Sequence, residues 1–362
     1  MNQHIFRVIP ETRLVEPKFL FYALKHAIRE IVESEHLHGS TMRHINRGPF
    51  LAHRCLIPPK SEQSRIVSKV DSLFAKSRQA REELGRVSHL IERYQQAILA
   101  AAFRGELTAD WRVRHDAALS GVNDLSEFGL DGSERGSWTS DMLPPSWRWV
   151  AFAEMFSDET DSRRKLQQKR YQSEGRWPVV DQGEAFIGGY TDNDSLVHRS
   201  EPPVVLFGDH TQCVKFIDFR FVQGADGTKV LRPLAAVHPR YAYFALHALG
   251  LPDKGYSRHM KFLRTSYFPL CPWEEQIEVV RALEAAFSWL SRVAAECEGV
   301  SRLIERLDQM TLAKAFRGEL VRQDPNDEPA SVLLEHIRAE RERTAQPRKR
   351  GPARQDQTQR GS

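Results

Sequence analysis

The sequence predicts an α+β protein in which mixed α/β globular segments are joined by two long helices. Three observations carry this expectation. A stretch of about 50 residues occurs twice at a constant offset of about 213. Each copy carries an apolar pattern of helical period. Between the copies lie short extended runs separated by glycine turns.

The repeat comes first. VSHLIERYQQAILAAAFRGEL ends at Leu107, and VSRLIERLDQMTLAKAFRGEL ends at Leu320. The match runs back without gaps to PKSEQ (Pro59 to Gln63) and PWEEQ (Pro272 to Gln276). Roughly 20 of about 50 positions are identical, which points to duplication. Convergence on a helix pattern reproduces apolar spacing but not AFRGEL twice.

Each copy reads as one helix, residues 60–107 and 273–320. Alternating steps of four and three from Ile66 give Val70, Leu73, Ser77, Ala80, Leu84, Val87, Ile91, Tyr94, Ile98 and Ala101. The second copy gives Val279, Leu283, Ala286, Leu290, Val293, Cys297, Val300, Ile304 and Leu307, with Thr311 and Lys314 breaking the pattern. Such a seam is the heptad signature of packed helices. Leu84, Val87, Ile91, Ile98, Val293, Val300, Ile304 and Leu307 are the expected packing residues. A proline and an acidic residue precede each run, and Gly105 and Gly318 suit C-terminal caps. About 40 residues at about 1.5 Å each make rods of about 60 Å. One seam per copy favours the two helices packing on each other; ordinary bundle helices are the alternative.

Residues 1–59 read as the C-terminal part of a first domain. VEPKFLFYALKHAI from Val15 echoes VHPRYAYFALHAL from Val237, and GSTMRHI from Gly39 echoes GYSRHMKFL from Gly255. Residues 108–142 are polar and Gly/Ser-rich, as a linker is. Residues 143–272 form a complete mixed domain. It opens on LPPSWRWV and holds WPVVDQG, PPVVLFGDH, VKFIDFRFVQG and TKVLRP as extended runs. In Val214 to Phe221, Lys215, Asp218 and Arg220 alternate with apolar residues, as on a half-buried strand. PRYAYFALHAL (Pro239 to Leu249) reads as a helix with proline in its first turn. Residues 321–362 form a charged tail, expected to be partly disordered.

The formal net charge of +4 permits a nucleic-acid partner without demanding one. Cys55, Cys213, Cys271 and Cys297 form no CxxC pair and no zinc-spaced cluster. They read as reduced thiols in a cytoplasmic protein. No apolar run approaches bilayer length, so no membrane partner is expected. GADGTK lacks phosphate-loop spacing. No GxGxxG, GxSxG or HExxH motif is present, and no nuclease or amino-methyltransferase motif. No catalytic residue and no metal ligand is assigned.

Basic and amide-bearing loops stand out instead. RRKLQQKRY concentrates Arg163, Arg164, Lys165, Lys169 and Arg170, which can neutralise phosphates; a solvated helix face is the alternative. GYSRHMKF sets Tyr256, Ser257, Arg258, His259 and Lys261 after a glycine. Arg43 and His44 hold the equivalent place in the first half, and that recurrence favours DNA contact. Gln182 and Tyr190 flank a glycine turn. Asp209, His210 and Thr211 sit at a strand end, and Lys229 follows the GADGT turn. Gln and Arg can read base edges bidentately. An Asp–His pair can also serve a metal or catalysis, but a lone pair is weak evidence.

The order of a domain, a helix from P-x-x-E-Q to AFRGEL, a domain opening LPxxWxW and a second such helix resembles the specificity subunit of type I restriction-modification enzymes. VVDQGEAFIGGYTD, LFGDHTQCVKFIDFRFVQGADGTKVL and GYSRHMKFL are similar to one class of that family's target recognition domains. The resemblance covers Asn2 to about Arg343. It implies target recognition domains that each read half of a bipartite site in double-stranded DNA. It also implies two antiparallel coiled-coil helices that set the spacing and dock modification methyltransferase subunits. A restriction motor-nuclease subunit completes the complex. S-adenosylmethionine, ATP and Mg belong to the partners, so this chain is expected to bind no cofactor and to be no enzyme. A rod of about 60 Å exceeds one DNA turn of about 34 Å. Residues 1–59 correspond only to the end of a first recognition domain. The chain is therefore expected to be N-terminally truncated and to read one half-site alone, with self-association or an upstream fragment supplying the other. A decayed subunit acting only as a partner-docking scaffold is the alternative. An unrecognised nuclease or methyltransferase would methylate or cleave DNA by itself.

Overall fold

The computed structural model describes residues 7–34, 47–115, 138, 143–251 and 258–345. In chain order its helices are α1 (Pro17–Ser34), α2 (Arg47–Ala52), α3 (Lys60–Phe103), α4 (Ala109–Arg114), α5 (Phe152–Met155), α6 (Pro239–Leu249), α7 (Met260–Thr265), α8 (Trp273–Phe316) and α9 (Ala330–Ala345). Its strands are β1 (Arg148–Ala151), β2 (Phe156–Asp158), β3 (Trp177–Val180), β4 (Gly189–Thr191), β5 (Val204–Gly208), β6 (Val214–Ile217), β7 (Val222–Gln223), β8 (Thr228–Pro233) and β9 (Tyr267–Leu270). Two compact units emerge: residues 1–87 with 296–362, and residues 88–295. Both long helices, α3 and α8, contribute to both units.

In the first unit the apolar face of α1 (Phe19, Tyr22, Ala23) covers Ile66, Val67 and Val70 of α3, with Leu312 and Ala315 of α8. The first turns of α3 thus meet the last turns of α8, so the helices run antiparallel. The Phe316 ring takes Phe19 edge-on at 5.4 Å and stacks on His26 at 5.4 Å. Arg81 pairs with Asp308 across the two helices at 2.5 Å. Asp71 accepts from the Tyr22 hydroxyl and the Lys18 ammonium, both at 2.5 Å. Burial, and then Asp71, push the Tyr22 hydroxyl up to about 12. Among the described residues this unit has no strand.

The second unit holds every described strand. β1 pairs antiparallel with β9. A four-stranded sheet has the order β2-β8-β5-β6, and a three-stranded sheet the order β4-β3-β7. α6 buries Tyr241, Ala242, Phe244, Ala245, Leu246 and Leu249. These join Val205, Phe207 and Leu231 of the sheet and Leu99, Phe103, Val279 and Leu283 of the long helices in one core. The end of α3 meets the start of α8 here, which makes the pair antiparallel in this unit too.

The duplication is legible in atomic detail. Gln63 donates to the carbonyls of Leu14 and Pro58 at 3.0 and 2.9 Å and accepts from the amide of Glu16 at 2.8 Å. Gln276 donates to the carbonyls of Ala236 and Cys271 at 3.1 and 2.9 Å and accepts from the amide of His238 at 2.7 Å. Each glutamine ties the entry of a long helix to the entry of the helix matched by the weaker echo, α1 or α6. Both are essentially unexposed. Gln63→Leu or Gln276→Leu leaves two carbonyls and one amide without a partner. Thermal unfolding should show a loss of about 1–3 kcal/mol for either.

Both helices end as their glycines suggest. Gly105 and Gly318 take φ of 78° and 76°. The following amides, Glu106 and Glu319, bond back to Ala101 and Lys314 at 2.9 Å, closing a Schellman cap.

The heptad seam differs from its sequence reading at one place common to both copies, and at Val300 in the second copy alone. Leu84, Val87, Ile91, Ile98, Val293 and Ile304 are half-buried as expected. Tyr94, Val300 and Leu307 are exposed, and Val300 and Leu307 therefore are not seam residues. From Ile91 the covered positions are Gln95, Ile98 and Ala102; from Ile304 they are Asp308, Thr311 and Ala315. A step of four replaces a step of three. Thr311, which breaks the pattern on paper, is 5% exposed and bonds its hydroxyl to the Leu307 carbonyl at 2.9 Å. A straight helix of 3.6 residues per turn drifts from a strict seven-residue repeat, and the extra step restores the phase. Ile304→Asp should cost about 2–3 kcal/mol, while Leu307→Asp should stay within about 0.5 kcal/mol in the same unfolding assay.

Two further segments depart from expectation. The stretch from Thr108, read as linker, begins with α4, because Thr108 and Arg112 reach Glu275 of α8 at 2.7 and 2.5 Å. The charged tail forms α9 as far as Ala345. Residues 116–137, 139–142 and 346–362, the remainder of the expected linker and tail, lie outside the described residues.

Candidate nucleic-acid interface

The candidate surface lies in the second unit, where β5 and β8 end side by side. β5 is buried along its length. Its pairing with β8 sets Gly208 opposite Thr228 and Phe207 opposite Lys229. The turns beyond these strands therefore meet. Asp209 donates its amide to the Gly227 carbonyl at 2.7 Å. Gly227 has φ of 72°, and a Cβ there would lie 2.6 Å from His210 and 2.8 Å from Gln182. Only glycine lets the turns close to this distance.

Two more loops join the cluster. The His210 amide donates to Gln182 Oε1 at 3.1 Å, and the Thr211 hydroxyl donates to the Gln182 carbonyl at 2.8 Å. From the far side, the His259 amide donates to the Asp209 carbonyl at 2.8 Å. The Met260 amide donates to Asp209 Oδ1 at 2.7 Å. Four segments distant in sequence thus share one knot of hydrogen bonds around Asp209.

This placement divides the sequence candidates. Asp209 and His259 are 5% and 1% exposed, so their side chains build the knot and do not face a ligand. Gln182, His210 and Lys229 are half-buried at its edge, and Thr211, Arg258 and Lys261 are exposed. The RRKLQQKRY segment is not a regular helix face. Leu166 is anchored by backbone bonds to Gln223 and Ala225, and a short 3-10 turn follows at Gln168–Arg170. Lys165, half-buried, is thereby brought towards Lys229. Burial, and then the Lys229 ammonium, push the Lys165 amine down. Arg164 is engaged by Asp161 at 3.6 Å and by the Val197 carbonyl at 3.4 Å. Arg163, Lys169 and Arg170 are exposed. Tyr190 lies in β4, its backbone paired with Gln172, and is not part of the knot. Arg43, His44, Tyr256 and Ser257 lie outside the described residues.

Lys215 carries a second correction. The alternation suggests an outward lysine on β6, yet it is 4% exposed, with Val214 and Phe216 only half-covered. Its ammonium donates to the carbonyls of Asp181 and Ala185 at 2.8 and 2.5 Å, and burial lowers its pKa. It fastens the loop that carries Gln182. The out-of-phase lysine beside Cys213 is the signal, since a buried ammonium must find acceptors.

Fold and surface together define a pair of antiparallel helices bearing a mixed α/β domain that gathers basic and amide-bearing loops at one edge. Known proteins share this fold. No family model matches the chain. The specificity subunit of type I restriction enzyme EcoDI from Escherichia coli is 24% identical over 359 residues, spanning 91% of this chain and 78% of its own. That of EcoKI from Escherichia coli K12 is 24% identical over 355 residues, spanning 92% and 74%. A solved chain from work on complex assembly and conformational transition of the type I R-M system superposes with a TM-score of 0.60 at 21% identity, covering 86% of this chain and 74% of that one. The chain is a relative of the type I restriction specificity subunits along nearly its whole length. Among the described residues no helix is long and apolar enough to cross a membrane, and no group of three or more His, Cys, Asp or Glu could hold a metal ion.

Proposed function

We propose that this chain supplies DNA sequence specificity to a type I restriction-modification complex, and that its second unit contacts one half-site through the loops around Asp209. The observation that carries the reading is the convergence of Lys165, Gln182, His210, Thr211, Lys229, Arg258 and Lys261 on one buried knot. Cations there provide register on phosphates, and Gln, His and Thr offer groups that can address base edges. The relatives' common role supports the same reading. In it, methyltransferase subunits dock on the long helices, and a motor-nuclease subunit joins them. S-adenosylmethionine, ATP and Mg act in those partners, and this chain performs no chemistry itself.

Fluorescence anisotropy on duplex libraries, with and without the methyltransferase subunit, tests the proposal. The expected result is sequence-selective binding that weakens steeply with salt. Arg258→Ala or Lys261→Ala should weaken binding about tenfold while co-purification with the methyltransferase subunit persists. Co-purification with no DNA binding at any salt would replace this reading with the scaffold alternative.

A further inference from the structure

One side chain of the candidate interface is held so that the polarity of what it can read is fixed. The His210 amide donates to Gln182 Oε1 at 3.1 Å. A backbone N–H needs an acceptor, so the carboxamide oxygen faces His210 and the amino end points elsewhere. That nitrogen has no acceptor among the described residues, and it reaches solvent.

The rest of the residue is clamped. Its carbonyl accepts from the Thr211 hydroxyl at 2.8 Å. On either side, the carbonyls of Asp181 and Ala185 accept from the buried Lys215 ammonium at 2.8 and 2.5 Å. The Asp181 carboxylate takes the Gly183 amide at 2.9 Å. Gly208 lies against the root of the side chain, where an added Cβ would stand 2.9 Å from Gln182 Cβ. Gly227 lies against its tip, where an added Cβ would stand 2.8 and 2.9 Å from the carboxamide oxygen and nitrogen. A mobile glutamine loses rotamer entropy on binding, whereas this one is ordered beforehand. The neighbouring Thr211 hydroxyl is committed, donating to Gln182 and accepting from the Cys213 amide at 3.3 Å.

In the major groove guanine and thymine present a keto oxygen, O6 or O4, where adenine and cytosine present an amino group. A glutamine free at both amide atoms matches adenine, its oxygen taking N6–H and its nitrogen donating to N7. Here His210 already engages the oxygen. We infer that Gln182 is a specificity-determining donor of the second unit, reading the keto oxygen of guanine or thymine at one position of the half-site. An amino base there sets donor against donor, and neither group finds a partner. The assignment rests on the proposed reading of DNA by this unit. It adds which residue decides one base and by which polarity.

The test is selection and sequencing of randomised duplexes bound by the full chain, alone and with the methyltransferase subunit, for the wild type, Gln182→Met and Gln182→Glu. Methionine has similar length and no donor, so one position of the consensus should lose its preference. Glutamate keeps an oxygen for the His210 amide and turns the outer group from donor to acceptor. At that same position the preference should move about tenfold, from a keto to an amino base on one strand, with the other positions kept. A side chain with a structural role alone would lower the melting temperature and weaken all sequences alike. A further measurement needs no variant. In the wild-type complex, 6-thioguanine or 4-thiothymine at that base is a weaker acceptor within the same pair and should weaken binding about fivefold. A consensus unchanged in both variants, while the wild type stays selective, overturns the inference and leaves DNA recognition standing. So does loss of the preference in Gln182→Met with its retention in Gln182→Glu, which would mean reading through the oxygen. Thio-substitution without effect on either strand of that position also overturns it. A wild type with no sequence selectivity overturns the reading of the unit and this assignment with it.

Discussion

Glu275→Ala is expected to destabilise the second unit by about 3–5 kcal/mol, the cost of breaking a buried ionic network by removing one partner. The Glu275 carboxylate is fully buried and accepts from three groups: Trp147 Nε1 at 2.8 Å, Thr108 Oγ1 at 2.7 Å and Arg112 at 2.5 Å. These come from the entry of the domain and from the segment after α3, so one side chain on α8 holds three pieces of chain together. Arg112 also donates to the Gly105 carbonyl at 2.5 Å and lies over the Trp147 ring at 5.7 Å. Removing the carboxylate leaves a guanidinium, an indole N–H and a hydroxyl facing a cavity. Glu275→Gln retains one acceptor and should cost about 1–2 kcal/mol. Glu274→Ala, one position earlier and exposed, should change stability by less than about 0.5 kcal/mol. Urea unfolding of the three variants separates the outcomes. Equal loss from Glu274→Ala and Glu275→Ala would mean that the network carries no special weight.

The helices and their duplication were legible in the sequence because long apolar periodicity and repeated motifs survive as strings. The weaker echo was legible too, and the matching bonds of Gln63 and Gln276 give it a physical cause. P-x-x-E-Q recurs because the glutamine must bridge two helix entries. The Glu beside it was quoted in the motif without a role. Its role depends on Trp147, 128 residues away, and no local pattern reports such a pair. The shift from 94 to 95 and from 307 to 308 escaped a strict four-three count, because seven residues do not make a whole number of helical turns. Lys215, Asp209 and His259 were misplaced for a common reason. Polar residues in loops are read as solvent-facing, but a domain built of short strands closes its turns on one another and buries the polar groups that join them.

That burial divides the loop residues into two groups with different expected behaviour. Asp209→Ala removes the acceptor of the Met260 amide from a nearly unexposed site, so it should cost about 1–3 kcal/mol. If the loops around it present the DNA-contacting groups, binding should be lost along with the melting temperature. Lys165→Ala with Lys229→Ala should act differently. Lys165 is held partly buried near a second ammonium, which lowers its pKa in the free protein. An approaching phosphate relieves that repulsion and favours the charged amine. The double variant should leave stability unchanged or slightly raised. It should also flatten the plot of log affinity against log salt by about two charges and weaken binding by about 100-fold on all sequences alike. Isotherms between about 50 and 200 mM salt, each paired with a melting curve, separate the two cases. An unchanged salt slope in the double variant would place the phosphate path elsewhere on the domain. A weakened slope with intact stability, beside an Asp209→Ala variant that loses both together, is the pattern that a rigid buried knot displaying charged edges must give.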